Sequence, residues 1–264
     1  MRQGLYFDSH AHYDDARFEE EFPGGAEGAL KKAFEEGVCG IVTTGTNPVT
    51  SRAAVKIADS HDGIYAAVGI HPSDGRFIKE DDRDGALCEI EAMLSLPKVV
   101  ALGEIGLDYH YDGTDREMQK YFFERQLEIA EKRDVPVVIH DRDAHGDVFD
   151  IISRHKNARG VMHCFSGSAE SGRQLAKKGW YLSFGGSVTF KNARQAKKAA
   201  AAVPDDRLLI ETDCPYLAPT PHRGEINYSG YLRYVVSTLA EIRGTSAERI
   251  AEITRENALM VFGL

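Results

Sequence analysis

Several short stretches of this chain end in residue types that bind metal ions or move protons. The first is Asp8-Ser9-His10-Ala11-His12, directly after the apolar run Leu5-Tyr6-Phe7. Alternate residues of a strand face the same way. His10 and His12 are therefore expected side by side, with Asp8 one layer deeper on the same face. Two neutral imidazoles can hold one divalent ion, and a nearby carboxylate can fix their tautomer. The same residue types recur in Gly69-Ile70-His71-Pro72, Gly103-Glu104-Ile105-Gly106-Leu107-Asp108-Tyr109, Ile139-His140-Asp141-Arg142, Met162-His163-Cys164-Phe165-Ser166-Gly167 and Glu211-Thr212-Asp213. Each has an ordinary alternative. His10 and His12 could cap a strand, His71 could serve a turn, His140 and His163 could be hydrogen-bonded core residues, and Asp213 could cap a turn. Glu104, between Gly103 and Gly106, has the least room for a core explanation, because a buried unpaired carboxylate is costly. Parity also puts Glu211 on the face of Asp213, so Asp8 and Glu211 read as carboxylates that orient ligand imidazoles. His61, His110, His145 and His155 read as surface residues.

The elements that must carry these residues follow from hydrophobic patterning. Strand candidates are Leu5–Ser9, Gly40–Thr44, Ile64–Val68, Val99–Gly103, Val135–Ile139, Gly160–His163, Trp180–Phe184 and Leu208–Glu211. Helical patterns alternate with them over Ala26–Glu36, Pro48–Ser60, Gly85–Leu94, Asp115–Arg133, Ala144–His155, Ala169–Lys178, Ala193–Ala202, Tyr231–Arg243 and Ala247–Phe262. Asn47-Pro48 and Thr245-Ser246 are the helix-start signals. This alternation predicts an α/β fold, a (β/α)8 TIM barrel, with a doubly wound open sheet as the alternative. Every stretch named above then falls at the carboxyl end of a strand, the face that carries chemistry in such barrels. No internal repeat or flexible linker divides residues 1–264, so one barrel domain is expected. The irregular stretch Asp213–Ser229 is long enough to suggest a working loop.

Composition narrows the function classes. The 264 residues are 42% hydrophobic and 28% charged, ordinary for a globular protein with a sizeable core. No apolar run approaches the length of a membrane span. Met1-Arg2-Gln3-Gly4 leads into the first strand without an apolar leader, which predicts a cytoplasmic protein. Cys39, Cys88, Cys164 and Cys214 form no Cys-X-X-Cys pair, which argues against a disulfide framework or a structural zinc cluster. Cys164 and Cys214 adjoin candidate ligands but face away by parity. The net charge of −9 speaks against a long basic groove for duplex DNA. Nucleic acid would have to enter a small local site in which metal ions supply positive charge.

In their order along the chain, these stretches, with Glu211-Thr212-Asp213-Cys214-Pro215-Tyr216-Leu217-Ala218-Pro219 and Pro221-His222-Arg223-Gly224, resemble the TatD family of metal-dependent deoxyribonucleases, within the amidohydrolase-like barrel superfamily. The resemblance spans essentially the whole chain. It implies two divalent ions (Zn, Mn or Mg), one held by His10, His12 and Asp213, the other by His140 and His163, with Glu104 between them. It implies hydrolysis of phosphodiesters by an activated water, with Glu104 and Asp213 as the catalytic carboxylates. Asp213 would take the water's proton and pass it to the leaving oxygen. His71, Arg142, His222 and Arg223 are candidates for phosphate contacts, arginine being able to pair with phosphate through two bonds. The expected substrate is single-stranded DNA or another nucleotide-containing ester, trimmed from its 3′ end. No membrane and no obligate protein partner are expected. The chain departs from the family pattern at Asp141, where serine is frequent, and at Asn227-Tyr228-Ser229-Gly230. The alternative function is an amidohydrolase-type enzyme cleaving C–N or C–O bonds, since fold and ligand set do not choose the bond. A metal-binding protein without turnover is disfavoured, because nothing in the ligand set is missing.

Overall fold

A computed structural model of the chain describes residues 5–264. Met1–Gly4, read above as leading into the first strand, lie outside the described residues. Eight parallel strands form one sheet in sequence order: β1 (Tyr6–Ala11), β2 (Val38–Thr44), β3 (Ile64–Val68), β4 (Val99–Asp108), β5 (Val137–Arg142), β6 (Gly160–Met162), β7 (Tyr181–Phe184) and β8 (Leu208–Ile210). The sheet curls into a TIM barrel, closed, among the described residues, by the bridge Ala11↔Cys214 between β1 and the segment after β8. Around it run the helices α1 (Arg17–Glu21), α2 (Gly25–Glu35), α3 (Pro48–Ser60), α4 (Arg83–Met93), α5 (Arg116–Arg133), α6 (His145–Arg154), α7 (Ala169–Lys177), α8 (Arg194–Ala202), α9 (Leu232–Arg243) and α10 (Ala247–Phe262). Among the described residues, no helix is long and apolar enough to cross a membrane.

The core has two parts. One residue from each strand (Phe7, Val42, Ala67, Ala101, Val138, Val161, Tyr181 and Leu209) fills the barrel interior, where α10 adds Ala258 and Phe262. The Phe262 ring stacks on Phe7 with centroids 6.3 Å apart, so α10 plugs the floor. The outer core packs alternate strand residues such as Ile41, Val68, Ile105 and Ile139 against the helices. Local chemistry accounts for the helix starts. The Asn47 side chain accepts the backbone N–H groups of Val49 and Thr50, and Pro48 lacks an N–H that would need a partner. Ser246 accepts from Arg249 at the start of α10.

Three differences from the sequence reading matter for the site. β4 continues past Gly103 to Asp108, so Glu104 stands inside a strand and Asp108 shares its face. Gly106 permits that extension: its φ is +139°, and a Cβ there would lie 2.0 Å from the His140 carbonyl. β1 carries a bulge between Asp8 and Ala11, where three residues oppose two of β2. The bulge shifts parity, so Asp8 does not share the face of His10 as expected. The short α1 was not anticipated; its five residues are too few for a periodic signal.

Candidate metal centre

The β1 side of the site is assembled across the seam of the barrel. Phe7 and Ser9 point inward, Ser9 Oγ donating to the Ile210 carbonyl at 2.9 Å. Asp8, turned away, spans the seam instead. Its Oδ1 accepts the Thr212 N–H at 2.9 Å, and its Oδ2 accepts the hydroxyls of Thr212 and Ser229 at 2.6 Å each. It meets His10 only through the backbone N–H, at 3.3 Å. Asp8 therefore does not orient an imidazole; it ties β1 to the end of β8. Beside it the Asp213 N–H donates to the His10 carbonyl at 3.0 Å, and the His12 N–H to the Cys214 carbonyl at 2.7 Å. Asp213 adopts φ 56°, a conformation aspartate tolerates. Its Oδ1 lies 3.5 Å from His10 Nε2 and 3.4 Å from His12 Nε2. The two Nε2 atoms are 3.0 Å apart. His12 Nδ1–H donates to the Thr44 carbonyl at 2.9 Å, which turns its Nε2 toward the same point as that of His10.

The β4–β5–β6 side rests on strand pairing that slips between Leu102 and Ile105, where Gly103 and Glu104 stand opposite Val138, and then runs in register from Ile105 to Asp108. Glu104 Oε1 is 2.7 Å from His140 Nδ1 and 2.8 Å from His163 Nε2. Its other oxygen, Oε2, faces the seam residues, 3.4 Å from His10 Nε2 and 3.6 Å from His12 Nε2. One carboxylate thus serves both groups, one oxygen to each. The far nitrogens are also provided for. His140 Nε2 lies 3.2 Å from Asp108 Oδ2, and His163 Nδ1 lies 3.4 Å from Glu211 Oε1, which also accepts the Cys164 N–H. Imidazoles that ligate metals characteristically have a carboxylate or carbonyl on their second nitrogen. His12, His140 and His163 each have one, and the donor atoms of His10, His12 and Asp213, and of His10, Glu104 and His163, lie within 4.8 Å of one another. The residues present fit the binding of divalent metal.

Charge follows the same geometry. Burial alone would raise the Glu104 carboxyl, but the surrounding imidazoles, His163 foremost, hold it well below the usual carboxylate range. Burial disfavours a charged His12, yet the Asp213 hydrogen bond and Glu104 outweigh it and push the ring up to about 9. His163 is raised in the same way by Glu104 and Glu211 against its burial. His71 is pushed down to about 3, chiefly by burial. Its Nδ1 accepts the Ser73 N–H at 3.1 Å, so the ring presents an Nε2–H, 3.7 Å from Glu104 Oε1. His71 therefore offers a neutral donor to the site, and its lone pair is already engaged.

The sequence reading brought His10, His12, Glu104, His140, His163 and Asp213 to one face, and the structure gathers them. Glu211 stands beside His163 as expected. Asp108 had been given no role; its signal was its place four residues after Glu104 in an extended run. His222 is corrected. Both of its ring nitrogens are committed, to Glu225 and to the Tyr234 hydroxyl at 2.9 Å each, and the ring stacks on Tyr231, so it has no N–H free for phosphate. Arg142 and Arg223 are exposed and lie over aromatic rings, Tyr111 and Phe190 respectively. Cys164 and Cys214 stay outside the ligand cluster, as parity indicated. His61, His145 and His155 lie at the surface, half-buried, each paired with a carboxylate.

The sequence profile of the family described as TatD related DNase matches residues 7–263. The chain belongs to this family. TatD proteins are metal-dependent hydrolases, and similar ones are known in several bacteria. The uncharacterized metal-dependent hydrolase YabD of Bacillus subtilis is 42% identical over 260 residues, covering 98% of this chain and 99% of YabD. The corresponding YcfH of Escherichia coli is 34% identical over 257 residues, covering 97% and 94% of the two chains. The crystal structure of YjjV, a TatD homologue from Escherichia coli, superposes with a TM-score of 0.91 at 29% identity over 98% of both chains.

Proposed function

We propose that the chain is a two-metal phosphodiesterase that trims single-stranded nucleic acid from its 3′ end. The observation that carries this reading is the split carboxylate of Glu104, with Oε1 on His140 and His163 and Oε2 on His10 and His12. In this reading His10, His12 and Asp213 hold one ion, His140 and His163 the other, and Glu104 both. Divalent ions there supply positive charge against phosphoryl oxygens and acidify water to near neutral pH. The remaining work falls to the chain. Asp213, free to accept on its second oxygen, takes the proton of the attacking water and returns it to the leaving 3′ oxygen. His71 donates its Nε2–H to a phosphoryl oxygen and stays neutral while doing so. Glu211 and Asp108 keep the rings of His163 and His140 turned toward the reacting phosphate. The buried floor of the barrel closes the site on one side, so the scissile phosphate enters from the loop face.

The test is a 5′-labelled single-stranded oligonucleotide incubated with metal-stripped protein, with Mg²⁺, Mn²⁺ or Zn²⁺ returned singly and Glu104→Ala as control. A metal-dependent ladder shortening from the 3′ end and lost in the control is expected. Cleavage of amides or lactones without cleavage of phosphodiesters would overturn the reading.

A further inference from the structure

Among the described residues the exposed aromatic side chains are Phe77, Tyr111 and Tyr216, at 72%, 60% and 44% of full exposure. All three stand in segments that follow strand ends on the site's face: Phe77 after β3, Tyr111 after β4 and Tyr216 after β8. Each carries an arginine. The guanidinium carbon lies 4.7 Å from the ring centroid for Arg76 over Phe77, and 5.6 Å for both Arg142 over Tyr111 and Arg17 over Tyr216. Among the described residues no carboxylate lies at ion-pair distance from Arg76 or Arg142, whereas Arg17 and arginines on the outer helices, such as Arg125, Arg154 and Arg249, are paired with glutamates.

Two of the three positions are tied directly to the metal-binding residues. The Tyr216 ring lies 6.3 Å from that of His12, and its N–H donates to the Asp213 carbonyl. Arg142 pairs through its backbone with Asp108, the partner of His140. These attachments are on opposite sides of an eight-stranded barrel, at β8–β1 and at β4–β5. Large apolar rings held in water are costly unless a ligand covers them. A ligand that alternates flat rings with anionic links would satisfy both components, ring on ring and phosphate on guanidinium.

We infer that Phe77, Tyr111 and Tyr216, with Arg76 and Arg142, form a base-stacking rim that holds the nucleotides upstream of the scissile phosphate. This rests on the phosphodiesterase reading above and adds to it the residues that distinguish a polynucleotide from a small phosphodiester. A stacked base contributes enough that its loss weakens binding about tenfold. The rim does not depend on base identity, because every base offers a π face.

The experiment compares Tyr111→Ala, Phe77→Ala and their double variant with the unmodified protein on a single-stranded 10-mer and on bis(p-nitrophenyl) phosphate. The remote exposed variant Met260→Ala serves as control. The ratio of kcat/KM for the 10-mer to that for the small diester is expected to fall about tenfold per ring removed, through KM. Tyr111→Trp should restore it. A 10-mer with abasic sugars at the stacked positions should be a poor substrate for the unmodified protein and no worse for the double variant. Efficient 10-mer cleavage with the ratio unchanged in all three variants would overturn the rim and leave the phosphodiesterase reading standing. Turnover of the small diester but of no oligonucleotide by the unmodified protein would overturn both.

Discussion

The two halves of the metal centre are held by different means. His140 lies on β5, which pairs in register with β4 from Ile105 to Asp108 and with β6 up to Met162, the residue before His163; the β4 pairing slips only upstream, between Leu102 and Ile105. His10, His12 and Asp213 meet where, among the described residues, the sheet has one bridge with two backbone hydrogen bonds, and side chains add to the joining: Asp8 to Thr212 and Ser229, Ser9 to Ile210. A longer ladder spreads its strength over more peptide groups; the seam leans more on side chains, Asp8 foremost. The seam half should therefore fail first, and through fewer substitutions.

The largest effect is expected where the halves share a residue. Glu104→Gln keeps the shape of the side chain but removes the charge that faces both groups. Turnover should fall about a thousandfold, ~4 kcal/mol of barrier, with both ions lost on dialysis by elemental analysis. Asp8→Ala separates the halves. It strands the Thr212 N–H and two hydroxyls in the interior, so denaturant unfolding should show a loss of about 3 kcal/mol. One ion should then bind weakly while the other is retained. Asp8→Asn, which keeps an acceptor for Thr212, should recover most of this; equal loss of both ions would erase the distinction between the halves. Asp108→Asn is the mirror experiment, expected to weaken only the ion at His140 and His163, by about 10- to 100-fold in a metal competition assay.

pH supplies a subtler probe. With its ring pushed up to about 9, His12 holds a proton at neutral pH that an incoming ion must displace. Affinity at the seam should rise between pH 7 and 9, about tenfold per unit for each proton released, and level off above that. Calorimetry in buffers of different ionisation enthalpy would count the protons. Release of none would contradict the charge balance described for His12. The smallest effect is expected at His222→Phe, which keeps the stack on Tyr231 but loses two hydrogen bonds. Stability should drop by ~1 kcal/mol with KM for an oligonucleotide unchanged.

Much of this centre could be read from the order of residues, because a barrel places every strand end on one face and the residue types at those ends are unusual. What could not be read was register. The β1 bulge between Asp8 and Ala11 adds a residue against β2, and parity counted along the chain then assigns Asp8 to the wrong side. The strand expected over Val99–Gly103 runs on to Asp108, and the missing Cβ of Gly106 is what lets it pass close to His140. That error hid Asp108. His222 misled for a different reason: a loop histidine beside an arginine suggests phosphate, and only the fold reveals Glu225 and Tyr234 on its two nitrogens.

The Asp8–Thr212 contact joins residues 204 positions apart, and the barrel floor needs Phe262 against Phe7. During synthesis, His10 and His12 leave the ribosome long before their partners exist. A nascent chain can stack strands in order, but it cannot close around a metal ion at the seam until β8 and α10 have emerged. On the proposed metal-binding reading, capture at that seam is timed to the end of translation, and a chain stalled short of residue 208 carries the histidines without the partners it needs.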